Sequence, residues 1–190
     1  MKHRIPASDA MTGGAISLCK PAELPELVVL VNAAYRGAGG QTGWTSEVGL
    51  VDGERITLQA LQRDMAATPS LSIYLLREPP ELLACVRLED EDGAQRGSAC
   101  HISMLAVHPE WQDAGLGRRM LEFAEQEARA RGARAARMSV VSIRTSLIAW
   151  YERRGYRRTG ETEPFPYDDA RFGQPQRRGL EFILLQKELQ

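Results

Sequence analysis

The chain has 190 residues, of which 43% are hydrophobic and 26% are charged. These values match an ordinary globular domain and disfavour disordered, collagen-like and coiled-coil proteins. The formal net charge of −1 argues against a generally basic nucleic-acid binder, and the length suits one domain.

Membrane spanning, secretion and structural metal binding are also disfavoured. The longest strongly apolar stretch, Leu27 to Val31, is far shorter than the roughly 20 residues of a membrane-spanning helix. Residues 1–20 lack the apolar core of a signal peptide. Three cysteines without CxxC spacing and three histidines without an HxxxH pair disfavour disulfide frameworks and zinc modules. We therefore expect a cytoplasmic protein without a metal.

The first elements are predicted from apolar spacing and glycine positions. Residues 1–14 are polar or small and predict a loose tail, which leaves 15–190 as the domain. Residues 15–20 read as a strand. Apolar residues at helical spacing then predict a helix from Leu24 that stops at Gly37.

A glycine-rich segment over 37–53 predicts a long structured loop before a second helix that carries Leu58 and Leu61. Two apolar runs, Ser70 to Arg77 and Leu82 to Leu88, are separated by Pro-Pro and predict an antiparallel hairpin.

The second half of the chain alternates strands with helices. The predicted elements are a strand at His101–Val107, a helix from Leu116 to Gly132, a strand at Ala135–Val141, a helix at Thr145–Arg154, a strand from Arg157 and a last strand at Leu180–Gln186. The order predicts a mixed α/β domain with a central twisted mixed sheet and helices on both faces.

The segment between Val107 and the following helix carries the most informative motif. A strand ends, a loop with Gly115 and Gly117 follows, and a strong helix begins. Free N–H groups and the helix dipole at such a start attract phosphate, and glycines let it approach. A Walker loop is absent, and a dinucleotide fingerprint needs a third glycine where Met120 stands.

Charge supports a pyrophosphate at this helix start. Residues 112–158 hold 11 arginines against five acidic residues, whereas residues 1–111 carry a net charge of −5. A polyanionic ligand would bind in the basic part of the chain. Charge alone also fits solvated helix faces, or nucleic-acid binding through these arginines.

Two motifs together resemble the GNAT superfamily of acyl-CoA-dependent N-acyltransferases. Gln112-x-x-Gly115-x-Gly117 is similar to the family's Q/R-x-x-G-x-G/A loop, and the segment from Tyr151 to Tyr156 is similar to its YexxGF/Y element. The resemblance covers residues 15–187. One departure is Arg144, which stands where many members carry an asparagine.

The resemblance implies a GNAT-like domain that binds acetyl-CoA as cosubstrate and needs no metal. It implies two splayed parallel strands, with pantetheine paired to the first of them and the thioester carbonyl polarised by the backbone N–H of Leu105. The implied cofactor-binding residues are Leu105, Ala106, Val107, Gln112, Asp113, Ala114, Gly115, Leu116, Gly117 and Arg118.

Two side chains are the candidates for proton transfer. Tyr151 of the second motif is the candidate general acid, because a phenol stays protonated at neutral pH and can still release its proton to departing CoA. His101 is the candidate general base, four residues before Leu105, where histone-modifying members place a glutamate. Period two predicts that His101 and Leu105 share a strand face. Glu89 and Glu47 are the alternative bases.

The resemblance also implies that two long loops wall the acceptor site. The candidate acceptor-binding residues are Trp44, Glu47, Glu89, Phe165 and Tyr167. Aromatic walls with carboxylates suit an amine, although the aromatics equally fit residues that pin the loops to the domain. We expect acetylation of a primary amine on a small molecule, with no nucleic-acid or membrane partner; a homodimer is compatible with the sequence. Protein or peptide acetylation and a catalytically silent acyl-CoA sensor are the alternatives.

Overall fold

Seven strands form the central sheet, and two short strands pair in a second sheet. The computed structural model describes residues 14–37, 46–91, 99–169 and 173–190. The predicted tail, except Gly14, and Trp44 lie outside this description. The strands are β1 Ala15–Leu18, β2 Val51–Asp52, β3 Ser72–Glu78, β4 Glu81–Asp90, β5 Ala99–Val107, β6 Ala135–Val141, β7 Arg157–Pro164, β8 Gln174–Pro175 and β9 Glu181–Glu188. The strand order in the central sheet is β1-β3-β4-β5-β6-β9-β7, and β2 pairs with β8 in the second sheet.

Four helices cover the two faces of this sheet, and the predicted mixed α/β class is confirmed. They are α1 Leu24–Arg36, α2 Leu58–Ala67, α3 Leu116–Ala130 and α4 Thr145–Glu152. Buried residues of α3 and α4 pack in one hydrophobic cluster, and those of α1 and α2 pack in another. No helix in the described ranges is long and apolar enough to cross a bilayer.

Amphipathic spacing explains why these helices form. In α1 one stripe of residues is buried, Leu24, Leu27, Leu30, Val31 and Ala34, and the helix ends at Gly37 with a positive φ of 82°. The α2 helix starts at Thr57, whose side chain accepts a hydrogen bond from the Ala60 N–H.

A β-bulge interrupts β5 close to its carboxyl end. The ladder between β4 and β5 skips Val86 of β4 and two residues of β5, Met104 and Leu105. Met104 has a φ of 49°, which a non-glycine residue rarely adopts. The bulge therefore inserts one extra residue into β5.

The extra residue reverses the alternation of side chains along β5. Leu105 packs in the cluster of α3 and α4, as does Ile102, whereas Met104 packs with α1. His101 lines a cavity together with Met104. The prediction that His101 and Leu105 share one strand face is therefore wrong, because the bulge lies between them.

The parallel strands β5 and β6 pair only where they begin. Their ladder consists of three residue pairs, from Ala99 with Ala135 to His101 with Arg137. Beyond these pairs β5 continues along β4, and β6 continues along β9. The carboxyl ends of β5 and β6 are thus splayed, as the resemblance implies, and backbone along this gap is left to pair with a ligand.

The two-stranded sheet joins the loop after α1 to the loop before β9. Val51 pairs with Pro175 and Asp52 with Gln174. Such short strands were not predicted. They bring together the two loops that the sequence assigns to the acceptor site.

Candidate active site

A cavity of about 320 Å³ opens where β5 ends and α3 begins; we call it the α3 cavity. Its lining residues come from the end of β5, the connection to α3, the start of α3, α4 and the turn after α4. They are Val107, Trp111, Gln112, Asp113, Gly115, Leu116, Gly117, Arg118, Ser146, Leu147, Trp150 and Arg154. Most of the predicted cofactor residues therefore border one cavity, whereas Leu105, Ala106 and Ala114 are not in its lining.

The start of α3 has the geometry of a phosphate site. Gly115 precedes the helix with a left-handed φ of 76°, and Asp113 has a φ of 70°. Among the described residues no side chain caps the helix, and the hydrogen bond from the Arg119 N–H reaches back only to the Gly115 carbonyl. The N–H groups of the three residues before Arg119 have no carbonyl partner within the helix, so they are suited to bind the pyrophosphate of CoA.

Gln112 fixes the loop to the strand. Its side-chain amide donates a hydrogen bond of 3.3 Å to the Val107 carbonyl. This contact holds the phosphate-facing loop against the splayed end of β5, and it gives the first residue of the loop motif a structural role beside its place in the cavity.

The α4 wall of the α3 cavity was missed by the sequence analysis. Trp150 lies near the end of α4 and Arg154 lies in the turn that follows this helix, and the Arg154 guanidinium stands 3.5 Å from the Trp150 ring centroid. The four-residue spacing of Trp150 and Arg154 at the tyrosine motif could have indicated this wall from the sequence.

A second cavity of about 800 Å³, the α2 cavity, opens on the other face of the sheet. Its floor is formed by β4 and β5 and includes Glu89, His101, Ser103 and Met104. One face of α2 and the residues next to β2 and β8 complete the wall. Since Met104 lines this cavity and Val107 lines the α3 cavity, the bulged end of β5 runs from one cavity to the other.

Charged side chains dominate the α2 cavity. Arg87 lies between two carboxylates, with Nη1 at 3.2 Å from Asp64 Oδ2 and Nη2 at 2.8 Å from Glu89 Oε2. The cluster retains one net negative charge, which favours a cationic ligand such as an ammonium group. Arg87 and Asp64 were not predicted; their elements are far apart in sequence. Among the described residues no group of His, Cys, Asp and Glu is arranged to hold a metal ion.

His101 faces the same cavity and is the cross-strand partner of Glu89. Its Nδ1 lies 3.8 Å from Glu91 Oε1. Burial lowers the pKa of His101 below its usual value, and the negative charges of Glu91 and Glu89 oppose this shift only in part. The imidazole is therefore neutral at neutral pH and able to accept a proton.

Tyr151 is buried against the α4 wall of the α3 cavity. Its ring contacts Trp150 and Tyr156 edge to face, at centroid distances of 5.0 and 5.7 Å. It does not itself line either cavity in the described part of the chain, but it belongs to the same hydrophobic cluster as Leu105.

The surroundings of Tyr151 keep its hydroxyl protonated. Burial raises the pKa of Tyr151 above its usual range; the neighbouring Tyr35 adds to the shift, and the positive charge of Arg144 opposes it. Tyr35 itself was not predicted, and burial raises its pKa to about 12. Arg144, at the usual asparagine position, thus supplies positive charge near both phenols.

The other predicted acceptor residues occupy structural positions. Glu47 forms an ion pair with Arg36, and both side chains are largely buried. Phe165 stacks on Phe182 in a small core under the loops. The Tyr167 hydroxyl accepts a hydrogen bond from the Leu180 N–H and donates one to the Arg177 carbonyl. These residues hold the loops, which was the alternative interpretation of the aromatics.

Asn32 is a further loop-holding residue that the sequence analysis missed. Its side-chain oxygen accepts a hydrogen bond of 2.6 Å from the Arg55 N–H, and its amide donates one of 2.9 Å to the Ile56 carbonyl. Because Arg55 and Ile56 line the α2 cavity, this residue positions one wall. A polar residue inside the apolar pattern of α1 was the only available signal.

A splayed parallel strand pair with an uncapped helix start at its open end is the arrangement that the resemblance to acyl-CoA-dependent acyltransferases implies. The sequence profile of the acetyltransferase (GNAT) family matches residues 44–156, more than half of the chain, and the chain belongs to this family. No curated protein matches the chain in sequence.

Solved structures of acetyltransferases share the fold. The ribosomal-protein-alanine N-acetyltransferase from Brucella melitensis is 18% identical with a TM-score of 0.66, covering 92% of this chain and 99% of that one. The IAA acetyltransferase from Bacillus cereus ATCC 14579 is 15% identical with a TM-score of 0.63, covering 93% and 100%. A GNAT acetyltransferase from Elizabethkingia anophelis with acetyl-CoA bound is 19% identical with a TM-score of 0.54, covering 68% and 82%. At these identities the likeness shows the fold alone.

Proposed function

We propose that the protein transfers the acetyl group of acetyl-CoA to a primary amine of a small molecule by direct attack. The observation that carries this proposal is the course of β5. Its bulged end runs from the charged α2 cavity, at Met104, to the α3 cavity with its free helix N–H groups, at Val107. If acetyl-CoA is held along this strand, its phosphates lie in the α3 cavity, and its thioester lies next to the α2 cavity, where the amine would bind.

The residues present fit acetyl-CoA. The N–H groups at the start of α3 would hold the pyrophosphate, and Gly115 would allow its close approach. The backbone of β5 along the gap to β6 would pair with pantetheine. When bound, acetyl-CoA supplies the activated acetyl group, and these residues position its thioester for attack.

Leu105 and Tyr151 act on the leaving side. The Leu105 N–H at the bulge would donate to the thioester carbonyl oxygen as negative charge develops, an effect of roughly 10²- to 10³-fold for one donor. The Tyr151 hydroxyl, which is protonated at neutral pH, would give its proton to the departing thiolate. Both residues belong to the cluster on the α3 and α4 face.

The acceptor approaches from the other face. Asp64 and Glu89 attract its ammonium group, and the neutral His101 imidazole takes the proton that the amine must lose before attack. The bulge separates the two faces, so proton removal and leaving-group protonation occur at different sites.

Direct attack is favoured because the cysteines are poor nucleophiles. Cys19, Cys85 and Cys100 are all buried. Burial raises the pKa of Cys19 to about 11 and that of Cys100 to about 12, and it raises the pKa of Cys85 further. Little thiolate is therefore present for an acetyl-enzyme intermediate.

A small acceptor is supported by the paired loops. The β2–β8 sheet ties the two acceptor loops together beside the α2 cavity, and Gly53 and Gly173 next to it line the cavity. We expect this wall to favour a small acceptor over a protein segment.

A panel of small amines and amino-terminal peptides with acetyl-CoA tests the proposal. Release of free CoA thiol is followed, and products are identified by mass. We expect amine-dependent release with a small amine at a higher kcat/KM than with any peptide. Faster peptide acetylation would reassign the acceptor, and no release with any amine would refute the enzymatic proposal.

A further inference from the structure

Arg154 has an unusual environment on the α4 wall of the α3 cavity. Its guanidinium stacks 3.5 Å above the Trp150 ring centroid, and its Nη1 donates a hydrogen bond of 2.8 Å to the Trp150 carbonyl. The Nε atom is buried and has no hydrogen-bond partner among the described residues. A buried donor without an acceptor is costly. Arg154 also lines the α3 cavity, where a bound anion would offer acceptors to the guanidinium.

The charges around Arg154 are mostly of the same sign. Burial lowers the pKa of Arg154, and the positive charges of Arg153 and Arg118 add to the shift, whereas the negative charge of Glu122 opposes it. Within the described part of the chain no carboxylate forms an ion pair with Arg154. The Glu122 carboxylate pairs with Arg118 at 3.7 Å, and both of these side chains are about two-thirds exposed. Of these residues Arg118 and Arg154 line the α3 cavity, together with one carboxylate, Asp113, so the lining carries a net positive charge that attracts an anion.

We propose that Arg154 binds the 3′-phosphate of CoA and selects CoA over cosubstrates that lack this group. The pyrophosphate is already provided for by the N–H groups at the start of α3, and Arg154 lies on the opposite, α4 wall of the same cavity. The 3′-phosphate is the remaining anionic group of CoA. A guanidinium held flat on an indole presents its outer N–H groups in a fixed fork that matches phosphate oxygens.

This inference rests on the proposed function only for the identity of the cosubstrate. The alternative is that Arg154 binds the pyrophosphate of CoA and not its 3′-phosphate. Dephospho-CoA distinguishes the two, because it keeps the pyrophosphate and lacks the 3′-phosphate.

The test is calorimetric titration of CoA and dephospho-CoA into the wild-type protein, Arg154→Gln and Arg153→Gln. Arg153 is the matched control, because it is adjacent, equally charged, exposed and outside the cavity lining. We expect the wild type and Arg153→Gln to bind CoA roughly 10- to 100-fold more tightly than dephospho-CoA, as for a charge-assisted hydrogen bond. Arg154→Gln should lose this preference and bind dephospho-CoA as the wild type does.

Three results would overturn the inference. Equal binding of both ligands by the wild type refutes a 3′-phosphate site without touching the proposed function. Equal weakening of both ligands in Arg154→Gln assigns the residue to the pyrophosphate. A wild-type protein that binds neither ligand refutes the proposed function together with this inference.

Discussion

Replacing Gly115 by alanine should weaken acetyl-CoA binding by more than the accompanying loss of stability can explain. Gly115 has a φ of 76°, and a Cβ built on it meets no atom within 4 Å. The substitution therefore introduces left-handed strain of about 1–2 kcal/mol but no clash. Because Gly115 lines the α3 cavity, the added methyl group points into open space where the pyrophosphate must approach the chain. Loss of one charged hydrogen bond there weakens binding roughly 10- to 100-fold.

Gly132→Ala is the matched control. Gly132 follows α3 at its other end with a φ of 90°, and its Cβ also meets nothing within 4 Å. Both variants should lower the melting temperature by roughly 2–8 °C, because they carry the same strain. Calorimetry with acetyl-CoA should show weaker binding in Gly115→Ala alone. Equal affinities in the two variants would refute the assignment of the α3 start as the phosphate site.

Three further substitutions test the other parts of the site. Tyr151→Phe keeps the ring contacts and should lower kcat by roughly 10²- to 10⁴-fold without changing acetyl-CoA affinity. If this variant turns over like the wild type while the chemical step limits the rate, Tyr151 is not the general acid. If His101 is the base, kcat/KM falls as the pH drops through its lowered pKa, below 6.5, and His101→Ala removes this limb; an unchanged pH profile returns the residue to a structural role. In Gly173→Ala the new Cβ would lie 2.5 Å from the Asp52 carbonyl oxygen, so the pairing of β2 with β8 is disturbed and the KM for the acceptor should rise. Gly179→Ala is the control, because its Cβ meets no atom within 4 Å, and it should leave this KM unchanged.

Local sequence patterns predicted the elements and the phosphate-binding loop. The apolar spacing in α1 and α3 survives in the structure because each helix buries one stripe on the sheet. The phosphate-binding loop is also local, since Gly115 caps α3 and its neighbours supply the free N–H groups.

Non-local features escaped prediction. Neither Met104 nor its sequence neighbours indicate a positive φ at this position. The bulge was therefore missed, and so was the change in which side chains of β5 face each side of the sheet. The pairing of β2 with β8 involves two residues on each side, and the two strands lie in opposite halves of the chain. The Arg87 cluster likewise depends on the contact between α2 and β4.

A single-turnover experiment tests direct acetyl transfer most directly. Protein in excess over acetyl-CoA is mixed with and without the best amine of the panel, while free CoA and the mass of the intact protein are followed. The proposed mechanism predicts CoA release only with the amine, at the rate of product formation, and no acetylated protein. Release of CoA without the amine, accompanied by a protein that carries an acetyl group, would contradict it.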